Sequence, residues 1–259
     1  MPIIDTTVNQ YIDAELIREN EKREAEHESS GKLSASMLYQ PVRWQILKTL
    51  GAPRKPFDAY TLAKFKRGRD VEDWYVKQLR GAGVLIENAE VLGRFNLELD
   101  DKQPLAKYRE CIGYIDSVID TDKMQAKVGI IPNEIKSVTN MKLRRVKKTG
   151  IDWHYKIQAC LYALAMGTKH YAVTIVSSED LRSDMQIFKT EDMKKDVDHA
   201  IGQYMIAKEK WSFDRSLPKF EANDHVKWTG NLKYAMFLPE WAENPDFWVI
   251  KQLEEMELI

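Results

Sequence analysis

Cysteine is nearly absent: the 259-residue chain has two, Cys111 and Cys160. Two thiols cannot hold an iron–sulfur cluster, which usually takes four, and they cannot staple a small disulfide framework. Both lie in apolar sequence and are expected to be buried free thiols in a reducing compartment. No apolar run approaches the roughly 18 residues of a membrane span. The opening Met1-Pro-Ile-Ile-Asp-Thr-Thr7 lacks the basic region and apolar core of a signal peptide, so a cytoplasmic location is expected. An excess of one charge is missing too. The 39 Lys and Arg against 40 Asp and Glu leave a net charge of -1, which excludes a uniformly basic coat for nucleic acid; any such binding must come from local charge. No internal repeat or low-complexity segment is present. What remains, 44% hydrophobic and 31% charged residues, is a globular composition, enough for one large domain or a domain with extensions.

Helical spacing of Val8, Tyr11, Ile12, Leu16 and Ile17 predicts an amphipathic helix over about Thr6–His27, lying on the core or on another subunit. Ser29-Ser-Gly-Lys32 reads as a break. A short helix capped in Ser34–Pro41 and a further one from Pro41 to Leu50 follow, then a long helix from Ala59 to Leu79, ended by Gly81-Ala-Gly83. Strand character is read in Val84–Leu92, Arg94–Leu99, Cys111–Ile119, Met124–Ile130 and Asn133–Val138. A helix from His154 to Gly167 comes next, then a strand over Lys169–Ser177. Thr190–Lys210 is read as an amphipathic helix with Met193, Val197, Ile201, Tyr204 and Met205 on its apolar side. The order is that of an α/β layer fold.

The informative stretch is Gly113-Tyr-Ile-Asp-Ser-Val-Ile-Asp120 with Pro132-Asn-Glu-Ile-Lys-Ser137. Each reads as an apolar strand carrying acid where a buried strand rarely does. Glu134 and Lys136 are two apart and share a face, Asp116 sits in the other strand, and Asp120 reads as a solvated position. Two carboxylates and a lysine at one sheet edge suit a divalent cation with a positive charge beside it. That set can hydrolyse a phosphodiester.

Asp116 followed by Glu134-Ile-Lys136 resembles the signature of the PD-(D/E)XK nuclease superfamily, and two further segments resemble its RecB-like, phage-type exonuclease branch. Gly68-Arg-Asp-Val-Glu72 is similar to the branch's Gly, three residues, then His or Glu, and Gln158-Ala-Cys-Leu-Tyr162 is similar to its Gln-x-x-x-Tyr helix. The motifs stand in family order over about Ser34–Ser178. The resemblance implies an α/β fold: a central mixed β-sheet flanked by helices, a restriction-endonuclease-like core with N- and C-terminal helical extensions. The divisions expected are 1–30 for the N-terminal amphipathic helix, 31–215 for the nuclease core and 216–259 for an aromatic-rich extension.

It implies a metal-dependent deoxyribonuclease, an exonuclease of recombination, repair or phage DNA processing, from a bacterium or a phage. The alternatives are a restriction-type endonuclease, or an idle DNA-binding or assembly module. Asp116, Glu134, Lys136, Gln158 and Tyr162 are the implied catalytic residues. Glu72, Asp116, Glu134 and the carbonyl of Ile135 are the implied ligands of Mg²⁺ or Mn²⁺. The run Lys142-Leu-Arg-Arg-Val-Lys-Lys148, read as a loop at the mouth of the site, offers Lys142, Arg144, Arg145, Lys147 and Lys148 to the phosphates of linear DNA, single- or double-stranded. His154 and Tyr155 are candidates for a stacking surface. A homo-oligomer and a single-strand annealing or recombination partner are compatible with the branch, and a membrane is not. Many relatives of this type clamp their ends with a four-cysteine iron–sulfur cluster. Here Met37–Pro41 and His225–Phe237 contain no cysteine, so no cluster is expected, and Trp228, Tyr234 and Phe237 are expected to clamp the early helix by packing.

Overall fold

The computed structural model describes residues 6–26, 31–51, 56–86, 95–96, 111–218 and 254–255. The chain is mixed α/β. The proposed aromatic clamp of Trp228, Tyr234 and Phe237, and nearly all of the expected 216–259 extension, lie outside the described residues.

Helices α1 (Thr7–Glu26), α2 (Val42–Thr49) and α3 (Ala59–Gly81) precede most of the strands. Asp58 caps α3 by accepting the Thr61 N–H at 2.8 Å, as an N-cap acid does. The two-residue strands β1 (Leu33–Ser34) and β2 (Phe95–Asn96) flank β3 (Cys111–Gly113) in a small sheet ordered β1-β3-β2. The main sheet runs β4-β5-β6-β7, with β4 at Ser117–Asp120, β5 at Ile130–Val138, β6 at His170–Ser177 and β7 at Ser183–Lys189. Within this sheet the β5–β6 pair is parallel, with Glu134 opposite Val173 and Lys136 opposite Ile175, and its other two pairs are antiparallel. A parallel neighbour requires a crossover, which is supplied by α4 (Asn140–Thr149) and α5 (Trp153–Met166). The long α6 (Thr190–Asp214) closes the described fold.

Strand alternation sorts the core onto two faces. Tyr171, Val173 and Ile175 of β6 pack with Ile157, Cys160 and Leu161 of α5 and with Val197, Ile201 and Tyr204 of α6. On the other face, Ile135 and Val176 meet Val71 of α3, while Ile119, Ile131 and Ala172 meet Leu79. Both cysteines are free and buried. No helix among the described residues is long and apolar enough to cross a membrane.

Several expectations need correction. Cys111–Ile119 is not one strand. It breaks at Tyr114–Asp116, and its halves join different sheets. Met124–Gly129 is not a strand either. Thr121 and Asp122 capture its backbone, with Thr121 Oγ1 donating to the Gly129 carbonyl and accepting from Val128 N, and Asp122 Oδ1 accepting from Gly129 N. Such side-chain bonds compete with a strand ladder. Within Val84–Leu92 the described part makes one bridge, Leu85 to Ile119, and residues 87–94 lie outside the description. Ser34–Pro41 carries a 3-10 turn at Ala35–Met37 in place of an α-helix. The basic run is the helix α4 and not a loop: Thr139 caps it and its apolar Leu143 and Val146 are buried. Strand β7 was not foreseen. On α1, Val8, Tyr11, Ile12 and Ile17 are exposed, and Leu16 lies beside Leu62 and Phe65 of α3. Met205 of α6 is likewise exposed.

Candidate active site

The chain brings Glu72, Asp116, Glu134 and Lys136 together from three places: α3, the break between β3 and β4, and the middle of β5. The break is shaped by Asp116 itself. Its Oδ2 accepts the backbone N–H of Ile135 at 2.7 Å, so a side chain takes a donor of the strand that carries Glu134. Glu134 is wholly buried on the α5 side of the sheet. Its Oε1 forms an ion pair with Lys136 Nζ, while its Oε2 has no hydrogen-bond partner. A buried carboxylate oxygen without a donor is costly and marks a place where the fold is not built for stability alone.

The charges act on one another. Burial and then the Asp116 charge push the Glu134 carboxyl up to about 8, against the pull of Lys136. The same two causes raise Glu72 to about 7. Asp116 is raised by burial, with Lys136 and the Ile135 N–H opposing. Burial disfavours the Lys136 ammonium, but Glu134 and Asp116 outweigh it and hold its pKa above the ordinary lysine value. Crowded acids around one lysine are groups whose pKa values have been pushed apart, a frequent mark of a functional site.

Gln158 and Tyr162 stand one helical turn apart on α5, both buried. Gln158 Nε2 donates to Tyr162 Oη at 3.1 Å, and the same hydroxyl bonds to the backbone of Tyr114. Burial, with Glu134 and Asp116 nearby, holds the Tyr162 phenol well above its ordinary pKa. Neither side chain reaches the surface, so the pair backs the carboxylates from beneath. Gly113 completes the packing. A Cβ there would sit 2.6 Å from Tyr162 Cε1 and 3.1 Å from the Ala35 Cβ. Gly113→Ala is therefore expected to destabilise the fold by about 1–3 kcal/mol, the range for overpacking a tight core, read as a lower urea midpoint. An unchanged midpoint would show that the Tyr162 ring is free to move.

Oxygen donors from Glu72, Asp116, Glu134 and the Ile135 carbonyl suit a hard divalent cation by their chemistry, and the partnerless Glu134 Oε2 is a donor with nothing to bind. Among the described residues, however, no three acidic, His or Cys side chains already form a group that could hold a metal ion. In this arrangement the Lys136 ammonium supplies the positive charge at Glu134.

The five expected phosphate contacts divide. Lys142 Nζ pairs with Asp152 Oδ2 at 3.0 Å and bonds Tyr155 Oη at 3.1 Å. Arg145 Nη2 also binds Asp152, at 2.9 and 3.0 Å. These two tie α4 to the start of α5. Arg144, Lys147 and Lys148 are exposed. His154 packs between Tyr39 and Tyr155, with ring centroids at 5.0 and 3.9 Å, so these rings are partly used in packing. Asp152 and Gly113 were the residues the sequence did not assign. An acid just ahead of the α5 helix, following a basic run, was the available signal for the first; nothing but the tertiary contact with Tyr162 signals the second.

The sequence matches no family model and no curated protein. Among solved structures, the fold is similar to the crystal structure of an alkaline exonuclease (LHK-Exo) from Laribacter hongkongensis. The TM-score is 0.44 at 11% identity, over 70% of this chain and 89% of that one.

Proposed function

We propose that the chain is a divalent-cation-dependent deoxyribonuclease that hydrolyses phosphodiester bonds at the ends of linear DNA. The observation that carries this reading is the buried Glu134–Lys136 ion pair beside Asp116, which takes the Ile135 N–H, with Glu72 within electrostatic reach and a buried Glu134 oxygen that has no donor. Glu72, Asp116, Glu134 and the Ile135 carbonyl would hold Mg²⁺ or Mn²⁺. When bound, the cation supplies Lewis acidity and charge neutralisation at the scissile phosphate. Lys136 orients the attacking water and faces the charge that develops on the phosphoryl oxygens. Gln158 and Tyr162 fix the floor of the site, and their burial suits a positioning role. The motif order supports DNA as substrate and an end-directed reaction, and the exposed cations of α4 support a polyanion. Tyr39 lies within electrostatic reach of both Lys136 and Lys142, which supports a phosphate path running from α4 toward Lys136.

The test is incubation with linear, closed-circular and single-stranded DNA, with and without Mg²⁺. Loss of linear DNA alone is expected. Discrete fragments from closed circles would make it an endonuclease, and retention without cutting would make it a binding module.

The split among the α4 cations gives a sharper expectation. In a Glu134→Gln background, neutralising Arg144, Lys147 and Lys148 together should flatten the log–log salt dependence of DNA binding by about two to three units, nearly one for each phosphate left without its cation. Arg145→Ala should instead lower the melting temperature, because it removes one of the two ties to Asp152, and leave that slope nearly intact. Equal slopes with and without the triple change would move the DNA path to the Lys64–Arg69 face of α3.

A further inference from the structure

Tyr114 is 56% exposed, although Ile115 beside it is 7% exposed and Gly113 is buried. Single exposed aromatics are ordinary on a protein surface. This one is distinguished by how its backbone is held and by where it stands. Its main chain bonds to the Tyr162 hydroxyl, and that hydroxyl is fixed by Gln158 at 3.1 Å. On its N-terminal side, Gly113 approaches the Tyr162 ring so closely that a Cβ there would sit 2.6 Å from Tyr162 Cε1. On its C-terminal side, Ile115 is anchored in the core and Asp116 takes the Ile135 N–H. The segment is thus tethered at every residue except the Tyr114 ring. Tyr114 stands two residues before Asp116, in the break between β3 and β4. Two residues of chain reach at most about 7 Å, a span comparable with the distance from a nucleotide's phosphate to its base.

We infer that Tyr114 is a nucleobase platform, its ring stacking on the base of the terminal nucleotide whose phosphodiester lies at Asp116 and Glu134. The inference rests on the proposed hydrolysis of DNA and narrows its substrate. Inside a duplex each base is covered on both faces by its neighbours. A ring whose backbone is held beside the site can stack only on a base that ends a strand or has left its pair. A platform here therefore favours ends over internal positions. It does so without reading sequence, because every base presents a π-face. The occupant is an unpaired or terminal nucleotide, and the ring acts by positioning it.

The experiment uses the full chain in a Glu134→Gln background, so that DNA is bound and not cut. Oligonucleotides carry 2-aminopurine either at the strand end or ten nucleotides inside. Stacking on tyrosine is expected to quench the terminal probe and leave the internal one unchanged. Adding Tyr114→Ala should restore terminal fluorescence and weaken binding of end-bearing DNA by about five- to 150-fold, the range for losing one base–aromatic stack. Tyr114→Phe should behave like tyrosine, since the ring and not the hydroxyl does the stacking. The melting curves of both variants should match the parent, since the side chain is exposed. If DNA binds and terminal fluorescence is the same with Tyr114 and with Ala, the platform is wrong and the nuclease reading stands. If Phe fails as fully as Ala, the contact is a hydrogen bond and the stacking inference is overturned. If the parent binds no DNA at all, the functional reading falls and the inference falls with it.

Discussion

Glu134→Gln is expected to lower DNA cleavage by roughly a thousandfold or more, the scale of removing several kcal/mol of transition-state charge stabilisation. The substitution preserves volume and removes one negative charge at the centre of the site. Its second expected consequence concerns stability. The wild-type carboxylate is wholly buried, and its Oε2 lacks a hydrogen-bond partner. A neutral amide there avoids the cost of burying charge, while Lys136, with 29% of its side chain exposed, keeps access to water. The variant should therefore melt at or above the wild-type temperature in buffer free of divalent cations. Asp116→Asn should lose cleavage equally, and its amide oxygen can still accept the Ile135 N–H. A rise in stability with loss of activity separates a functional carboxylate from a structural one. Near-wild-type cleavage in either variant would refute the assignment.

Lys136→Met is the second large effect. Methionine keeps much of the apolar stem and removes the ammonium. Single-turnover cleavage should fall at least about a hundredfold, the typical loss for one preorganised electrostatic group, while DNA affinity changes by less than about threefold. The competing role for this lysine is a simple phosphate contact. That role predicts the reverse pattern, a large change in affinity and near-normal cleavage at saturating DNA. Removing one partner of a buried ion pair is itself destabilising. The melting temperature must therefore be measured alongside, and cleavage compared well below it.

Periodic elements were legible in the sequence. The β-branched run in β6, the long helix carrying Glu72 and the apolar spacing of Met193, Val197, Ile201 and Tyr204 on α6 were all readable because burial on a face imposes a period. Strand β7 left a signal that was missed: Met185 and Ile187 alternate with Asp184 and Gln186 at a sheet edge. Helix α4 was not legible because within the run Lys142–Lys148 only Leu143 and Val146 interrupt the charge, and two apolar residues look like chance until Thr139 is recognised as its cap. The break at Tyr114–Asp116 was not legible. Cys111 to Ile119 is apolar throughout apart from Asp116 and Ser117, and the chain changes sheets there because Asp116 captures a backbone donor 19 residues away. The same limit applied at the site. Glu72, Asp116, Glu134 and Lys136 could be picked from their order in the chain, but their mutual electrostatic influence depends on tertiary distances. So does the tie from Lys142 and Arg145 to Asp152, which removes two cations from a run that looks uniform in sequence.

Asp116 and Glu134 are proposed to share a divalent cation, and counting Mn²⁺ tests this without relying on activity. Electron paramagnetic resonance of free Mn²⁺, titrated into wild-type protein and into the Asp116→Asn and Glu134→Gln variants, measures how many ions each chain binds. At least one saturable Mn²⁺ per wild-type chain is expected, lost in both variants while their folds persist. Equal Mn²⁺ uptake by all three proteins, or none by the wild type, would contradict it.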